Sequence, residues 1–350
     1  MRNRLHNRIS LAFGLILWTS AIPALAQDPY YKGKSVRIIL GFGSGGGVDA
    51  EARLVARFFE RYLPGAPSVI VQNMPGAGGM VATNWFEQFA KPDGLILHYT
   101  GTTALNQQIF GAEGAKFDLR QWQLIGSIFR QTSVAMIRPD KLNRLTVPGP
   151  PLKIGVRGGD EGWNSIFLWG AEFLKWNVTW VMGYPGGGEI RLAFRRGETD
   201  IFATAALTNL KELTGEGFKP FVQQGRLTAA GSFQGRPEFP EVPPFQELLG
   251  QHRPTGIPWQ AYLSWAGVDS AGRPLYAAAR TPPEILRPLQ DAFAKMKGDK
   301  TFQSEIFRVA GEDVHVLLAT EVEPLLRQLL AVSPAARDFS NSLVKKYLRR

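Results

Sequence analysis

The 350-residue sequence has no cysteine and only four histidines. Without cysteine there are no disulfides and no thiolate chemistry, so stability has to come from a buried core. His6, His98, His252 and His315 stand apart with no metal-ligand spacing. His98 alternates within a strand-like run, which suits a structural role better than that of a base. No Gly-x-Ser-x-Gly elbow occurs. A phosphate-binding Walker loop is excluded as well, because Gly46 is followed by Gly47 instead of lysine and a hydroxyl residue. The remaining acids near loops, Asp49 and Asp200, are explained by a helix cap and a turn. No catalytic constellation is left, and the expectation is a protein that is not an enzyme and needs neither metal nor cofactor.

Long apolar runs are also scarce. The most apolar stretch, Ile9 to Trp18, is far short of the roughly 20 residues a spanning helix needs. It follows Arg2, Arg4 and Arg8 and precedes Ala24-Leu25-Ala26, a small-x-small cleavage pattern. This reads as a secretory signal peptide over residues 1–26 and predicts a periplasmic protein beginning near Gln27; an uncleaved anchor is the rival reading. The remaining 324 residues suggest two domains. Three arginines leave with the leader, and the formal charge falls from +10 to +7. In a compartment without nucleic acid, that excess concerns anionic solutes or a membrane surface, or is a generally basic surface of no consequence.

What the chain has in abundance is glycine, 38 residues of it, placed at the ends of strand-like runs. Val36 to Leu40 is β-prone and feeds Gly41-Phe42-Gly43-Ser44-Gly45-Gly46-Gly47, after which Glu51 to Leu63 carries apolar residues at helical spacing. Asp49 is placed to cap that helix. Ser68 to Gln72 leads into a second glycine loop at 73–79 and a helix to about Ala90, and Leu95 to Tyr99 leads into Thr100-Gly101-Thr102-Thr103. The same grammar restarts at Lys153 to Val156 with Arg157-Gly158-Gly159-Asp160-Glu161-Gly162, and again at Val178 to Met182 with the glycines 186–188. Repeated strand, loop and helix units argue for parallel strands with helices on both faces, and for two α/β lobes whose loops meet across a cleft.

A strand end, a bare-backbone loop and a helix N-terminus suit an anion. Gly41-x-Gly43-x-x-Gly46 also satisfies a dinucleotide fingerprint. Asn73 stands where a ribose-binding acid is needed, and an exported protein has no ready supply of the cofactor. The bland alternative for any one loop is glycine that merely permits a tight turn. Among the nine tryptophans, Trp163, Trp259 and Trp265 fall near loops as candidate pocket walls, and the rest read as core.

The motifs, taken in order, resemble those of the Bug family, periplasmic substrate-binding proteins of tripartite tricarboxylate transporters. Gly41 to Asp49 with Ala52-Arg53 is similar to the family's P-F-x-P-G-G-x-x-D…A-R, and Val71 to Gly79 to its V-E-N-R-P-G-A-G-G. Pro92-Asp93-Gly94, Tyr184 to Gly188, Gly197-Glu198-Thr199-Asp200, Phe239 to Pro243 and Thr281 to Ile285 continue the series through nearly the whole mature chain.

The resemblance implies a two-lobed, type II Venus-flytrap fold, each lobe a mainly parallel sheet flanked by helices. Residues 27–130 form the first part of lobe 1, 131–258 form lobe 2, and 259–350 return to lobe 1. It implies a monomer that captures a small organic carboxylate between the lobes. That ligand then passes to the integral-membrane subunits of a transporter, or its binding is signalled to a membrane sensor. An exported oxidoreductase with a dinucleotide in the first loop is the competing class. Expected ligand contacts are Phe42, Gly43, Ser44, Gly45, Gly46, Asp49, Gly78, Thr102 and Thr103 in lobe 1. In lobe 2 they are Gly158, Gly159, Ser165, Gly187, Gly188 and Thr204. Gly41 and Ser44 replace family prolines, which implies a looser loop, Met74 replaces an arginine, and Ser165 stands about where the family has histidine. Arg157, Asp160, Glu161 and Glu189 add charges; Arg157 pairs either with a second ligand carboxylate or with Asp160.

Overall fold

The structure, a computed structural model, describes residues 28–45, 47–159, 161–184, 187–228, 230–310 and 314–348. Residues 1–26, read above as a signal peptide, and Gly46, Asp160 and Gly186 lie outside the described residues. The strands are β1 (Ser35–Leu40), β2 (Ser68–Asn73), β3 (Ile96–Tyr99), β4 (Gln123–Arg130), β5 (Val134–Ile137), β6 (Leu152–Gly155) and β7 (Val178–Val181). They continue with β8 (Ile201–Thr204), β9 (Lys219–Gln223), the short β10 (Arg226–Leu227) and β11 (Phe233–Gln234), β12 (Arg273–Ala277) and β13 (Val314–Leu318).

These strands form two main sheets, β13-β4-β12-β3-β1-β2 and β7-β6-β8-β5-β9. Both are mixed. The strands that feed glycine loops run parallel, β1 with β2 and β3, and β6 with β7 and β8. The remaining pairs are antiparallel: β12 with β3 and β4, β13 with β4, and β5 with β8 and β9. The expectation of mainly parallel sheets therefore holds only for the strands joined by crossover helices. β4 and β5 follow each other through residues 131–133 alone, yet belong to different sheets, and β12 brings the chain back to the first.

The helix Gly47–Tyr62 buries Leu54, Val55, Phe58 and Phe59 on one stripe against the first sheet, as its spacing requires. A larger core continues from Phe86 and Leu105 through Tyr262 and Trp265 to Phe167 and Trp169, so apolar packing spans the region between the two sheets. Its aromatic centre places Trp169 edge-on to both Tyr262 and Trp265. No helix among the described residues is long and apolar enough to cross a membrane.

Candidate ligand-binding site

A cavity of about 290 Å³ lies between the two sheets and takes its lining from both. Arg130 at the end of β4 and Arg273 at the start of β12 supply charge from the first sheet, beside Thr102 and Thr103 at the start of the helix Thr102–Phe110. Arg157, Glu161, Trp163 and Thr204 face them from the second sheet. The same four continue into an adjoining hollow of about 280 Å³ that reaches Gly187. Ligand crevices at the carboxyl ends of parallel strands are the general rule for open α/β sheets.

On the first wall, Glu51 organises the cations. Its carboxylate is fully buried and accepts from Arg273 Nη1 at 3.1 Å (Oε1) and 3.0 Å (Oε2), and from Arg130 Nε at 3.3 Å. Arg130 Nη2 lies 3.2 Å from the same group, and the Tyr99 hydroxyl donates to it as well. Burial, with Glu51 alongside, holds the Tyr99 phenol well above its usual range. One buried carboxylate thus aligns two guanidinium groups at the edge of the cavity, where planar forks suit a carboxylate ligand. The helix beginning at Thr102 has no side-chain cap, so its first-turn N–H groups add partial positive charge to the same wall.

The first glycine loop serves this wall from behind. Gly41 packs on the second loop so closely that a Cβ there would fall 2.7 Å from the Cα of Gly79. Backbone against backbone cannot yield, so Gly41 makes this a tight junction where its departure from the family proline had suggested looseness. The ring of Phe42 lies over Gly101, where a Cβ would come within 2.6 Å of it. The two loops therefore buttress the start of the Thr102 helix.

Asp49 is consumed within the loop. Its Oδ2 accepts from Gly45 N at 2.9 Å and Arg53 Nε at 3.0 Å, and its Oδ1 from Asn73 Nδ2 at 2.8 Å. Asn73, the residue that argued against a dinucleotide, also donates to Phe42 O at 2.9 Å. The hydrogen bond from Arg53, helped by Asn73 and Gly45, holds the Asp49 carboxyl at about 2 against the opposing effect of burial. The folded value lies below the ordinary 3.8. Its contribution to stability is therefore complete above that value and is lost as pH falls toward about 2. Urea unfolding at pH 5 and pH 3 is expected to show a stability gap between wild type and Asp49→Asn that narrows at the lower pH.

On the second wall, the loop 157–162 is arranged in the same way around Glu161. That carboxylate accepts from Arg157 N at 2.7 Å and Gly159 N at 2.9 Å. Gly159 is at φ +89° over Leu348 of the C-terminal segment. Arg157 is more than half exposed, with Nε 3.5 Å from Glu161, and it lines the cavity. Its alternative partner Asp160 lies outside the described residues. Trp265 Nε1 donates to Glu161 O at 3.1 Å and fixes the loop to the helix Ile257–Ala266.

The structure brings together Thr102, Thr103 and Thr204 in the cavity, and Gly187 in the adjoining hollow. It places the other expected contacts among the described residues outside the lining. Phe42 supports Gly101 from behind, Gly43, Ser44 and Gly45 are exposed, and Asp49 is bound to its own loop. Gly78 is exposed at φ +63° beside Gln107. Gly158 is exposed, Gly159 gives its N–H to Glu161, and Gly188 follows Gly187 in the first turn of its helix with Glu189 exposed beside it. Ser165 is buried and donates to Gly162 O at 2.8 Å. Gly46 lies outside the described residues. Of the candidate tryptophans, Trp163 lines the cavity, Trp265 is core, and Trp259 stacks on Tyr262. His98 is buried between Ile39 O and Thr83, and burial lowers its ring to about 4. Sequence reasoning missed Glu51, Arg130, Asp269 and Arg273. Its one available signal was arginine flanking otherwise apolar strands.

The fold is the one seen in periplasmic binding proteins. No family model matches the chain. Over 303 residues, 80% of the chain, it is 25% identical to the UPF0065 protein in gbd 5'region of Cupriavidus necator, covering 79% of that protein. It is 33% identical over 97 residues to the protein BugT of Bordetella pertussis, 28% of this chain and 29% of that one. Among solved structures it resembles a TctC solute binding protein from Polaromonas, with a TM-score of 0.65 at 18% identity over 90% of this chain and 99% of that one. A second, MatC from Rhodopseudomonas palustris with bound malate, gives 0.56 at 17% identity over 89% and 99%. The Bug-family resemblance carried by the motifs is borne out by these relatives.

Proposed function

We propose that this protein is a periplasmic solute-binding protein. It captures a small organic carboxylate between its two lobes and delivers it to the membrane subunits of a tripartite tricarboxylate-type transporter. The observation that carries the reading is the convergence on one interlobe cavity of an uncapped helix start at Thr102–Thr103 and the guanidinium groups of Arg130, Arg157 and Arg273. Helix N-termini and arginine forks both favour an oxyanion. The carboxylate sits against Thr102, Thr103 and Arg273, while Thr204 and Trp163 meet the ligand from the other side. A ligand that touches both lobes stabilises their closed arrangement by its differential affinity, which gives the transporter a surface to recognise. Relatives with this fold, one of them with bound malate, support the ligand class.

A thermal-shift screen of small carboxylates against their uncharged amide and alcohol counterparts tests this. At a hundred times its Kd a ligand adds about 2.7 kcal/mol of stability, which is several degrees of melting temperature. The expected result is a shift with at least one carboxylate and none with its uncharged counterparts. No shift with any organic acid would contradict the proposal.

A further inference from the structure

The second-lobe loop 157–162 ends β6 and opens the helix Asn164–Phe173, the place where a ligand's second carboxylate would find backbone N–H groups. An internal anion already stands there. Glu161 Oε1 accepts from Arg157 N at 2.7 Å and Oε2 from Gly159 N at 2.9 Å, so both oxygens engage the loop. The side chain is 4% exposed, and its own carbonyl oxygen accepts from both Trp265 Nε1 at 3.1 Å and Asn164 N at 2.9 Å. Glu161 is thus a fixed part of the wall. A second acid arrives from the other side of the cavity. Asp269 lines it, and its carboxylate lies directly on Gly162, where a Cβ would fall 2.3 Å from Oδ2.

The cavity is therefore dipolar. One end offers the Thr102 helix start and the arginines gathered by Glu51; the other offers Glu161, with Asp269 between them in the field of Arg273 and Arg157 as well as of Glu161. The guanidinium of Arg157 lines the same cavity, and its charge is partly met there by Glu161, 3.5 Å from its Nε. An anionic group brought to Glu161 would meet like charge, with the N–H groups of Arg157 and Gly159 already given to that carboxylate, and such juxtaposition is costly. A group carrying N–H donors, and an ammonium above all, finds the Glu161 carboxylate and, beside it, the Asp269 carboxyl, whose pKa burial raises and which Gln224 already hydrogen-bonds.

We propose that Glu161 serves as a built-in anion that closes the second-lobe cradle. The cleft then selects a monocarboxylate whose far end carries N–H donors, an amino- or amido-carboxylate, over di- and tricarboxylates. This rests on the carboxylate-receptor reading above and names the chemistry of the ligand's other end.

Calorimetric titration with matched probes tests it. The probes are glutarate, its monoamide and 5-aminopentanoate, and the series is repeated one and two carbons shorter. The purified wild type is expected to bind the amide or the amine at least tenfold more tightly than the dicarboxylate of equal length. Glu161→Gln, which keeps the shape and removes the charge, is expected to shift that ratio at least tenfold toward the dicarboxylate. Asp269→Asn is expected to weaken the amine about tenfold and the dicarboxylate not at all. The inference is overturned if the dicarboxylate binds wild type as tightly as its nitrogen-bearing partners. It also fails if dicarboxylates bind and neither variant moves the ratio. Should a variant not fold, the wild-type ratio alone decides. Binding of dicarboxylates alone would overturn this inference and leave the receptor reading standing, whereas failure of every carboxylate would end both.

Discussion

Glu51→Ala is expected to cost about 3–5 kcal/mol of unfolding free energy, the usual effect of deleting one member of a buried ion pair. The carboxylate is fully buried, and it is the shared acceptor for Arg130, Arg273 and Tyr99. Its removal leaves two guanidinium groups side by side at the edge of the cavity without the carboxylate that joins them. Glu51→Gln keeps the volume and some hydrogen bonds, so it is expected to fall between wild type and alanine. Urea denaturation at neutral pH measures both. A loss below 1 kcal/mol for the alanine variant would mean that the arginines do not depend on Glu51.

The second large effect falls on ligand affinity. Arg273→Ala is expected to weaken binding of a carboxylate about a hundredfold, since truncating one member of a desolvated charged pair costs roughly 3 kcal/mol. Stability is expected to change less than for Glu51, because Arg130 and Tyr99 still bond the buried carboxylate. Arg273→Lys restores the charge without the planar fork and is expected to recover only part of the loss. Calorimetry on all three proteins separates these outcomes. Affinities within twofold of one another would remove Arg273 from the site.

Much of the fold was legible in the sequence because it is written in local periodicities. β-prone runs, glycine loops and amphipathic helices alternate, and β1 with its helix Gly47–Tyr62 follows that pattern directly. The orientation of β4, β5 and β12 was not legible, since it depends on pairings such as Arg273 with Ile128, far apart in the chain. The site was only partly readable for the same reason. Glu51 and Arg273 are 222 residues apart, and nothing local joins them.

The glycine loops misled in a more instructive way. A loop rich in N–H groups implies an anion, but in both lobes an acid of the chain supplies it. Asp49 closes onto Gly45, and Glu161 onto Arg157 and Gly159. Each acid lies four residues from an arginine that it pairs with, Arg53 and Arg157. That i, i+4 spacing was the one local sign that these cradles were filled from within. The threonines at 102 and 103, which begin a helix that no side chain caps, were left facing the cavity.

The most direct test of the receptor reading is a crystal structure with the tightest-binding carboxylate from the thermal-shift screen. The account predicts the carboxylate within hydrogen-bond distance of Arg273 and the first turn of the Thr102 helix, with Thr204 or Trp163 touching the same molecule from the second lobe. A ligand held by one lobe alone would contradict it. So would one seated in the larger hollow of about 660 Å³ lined by Leu142, Phe173 and Trp176.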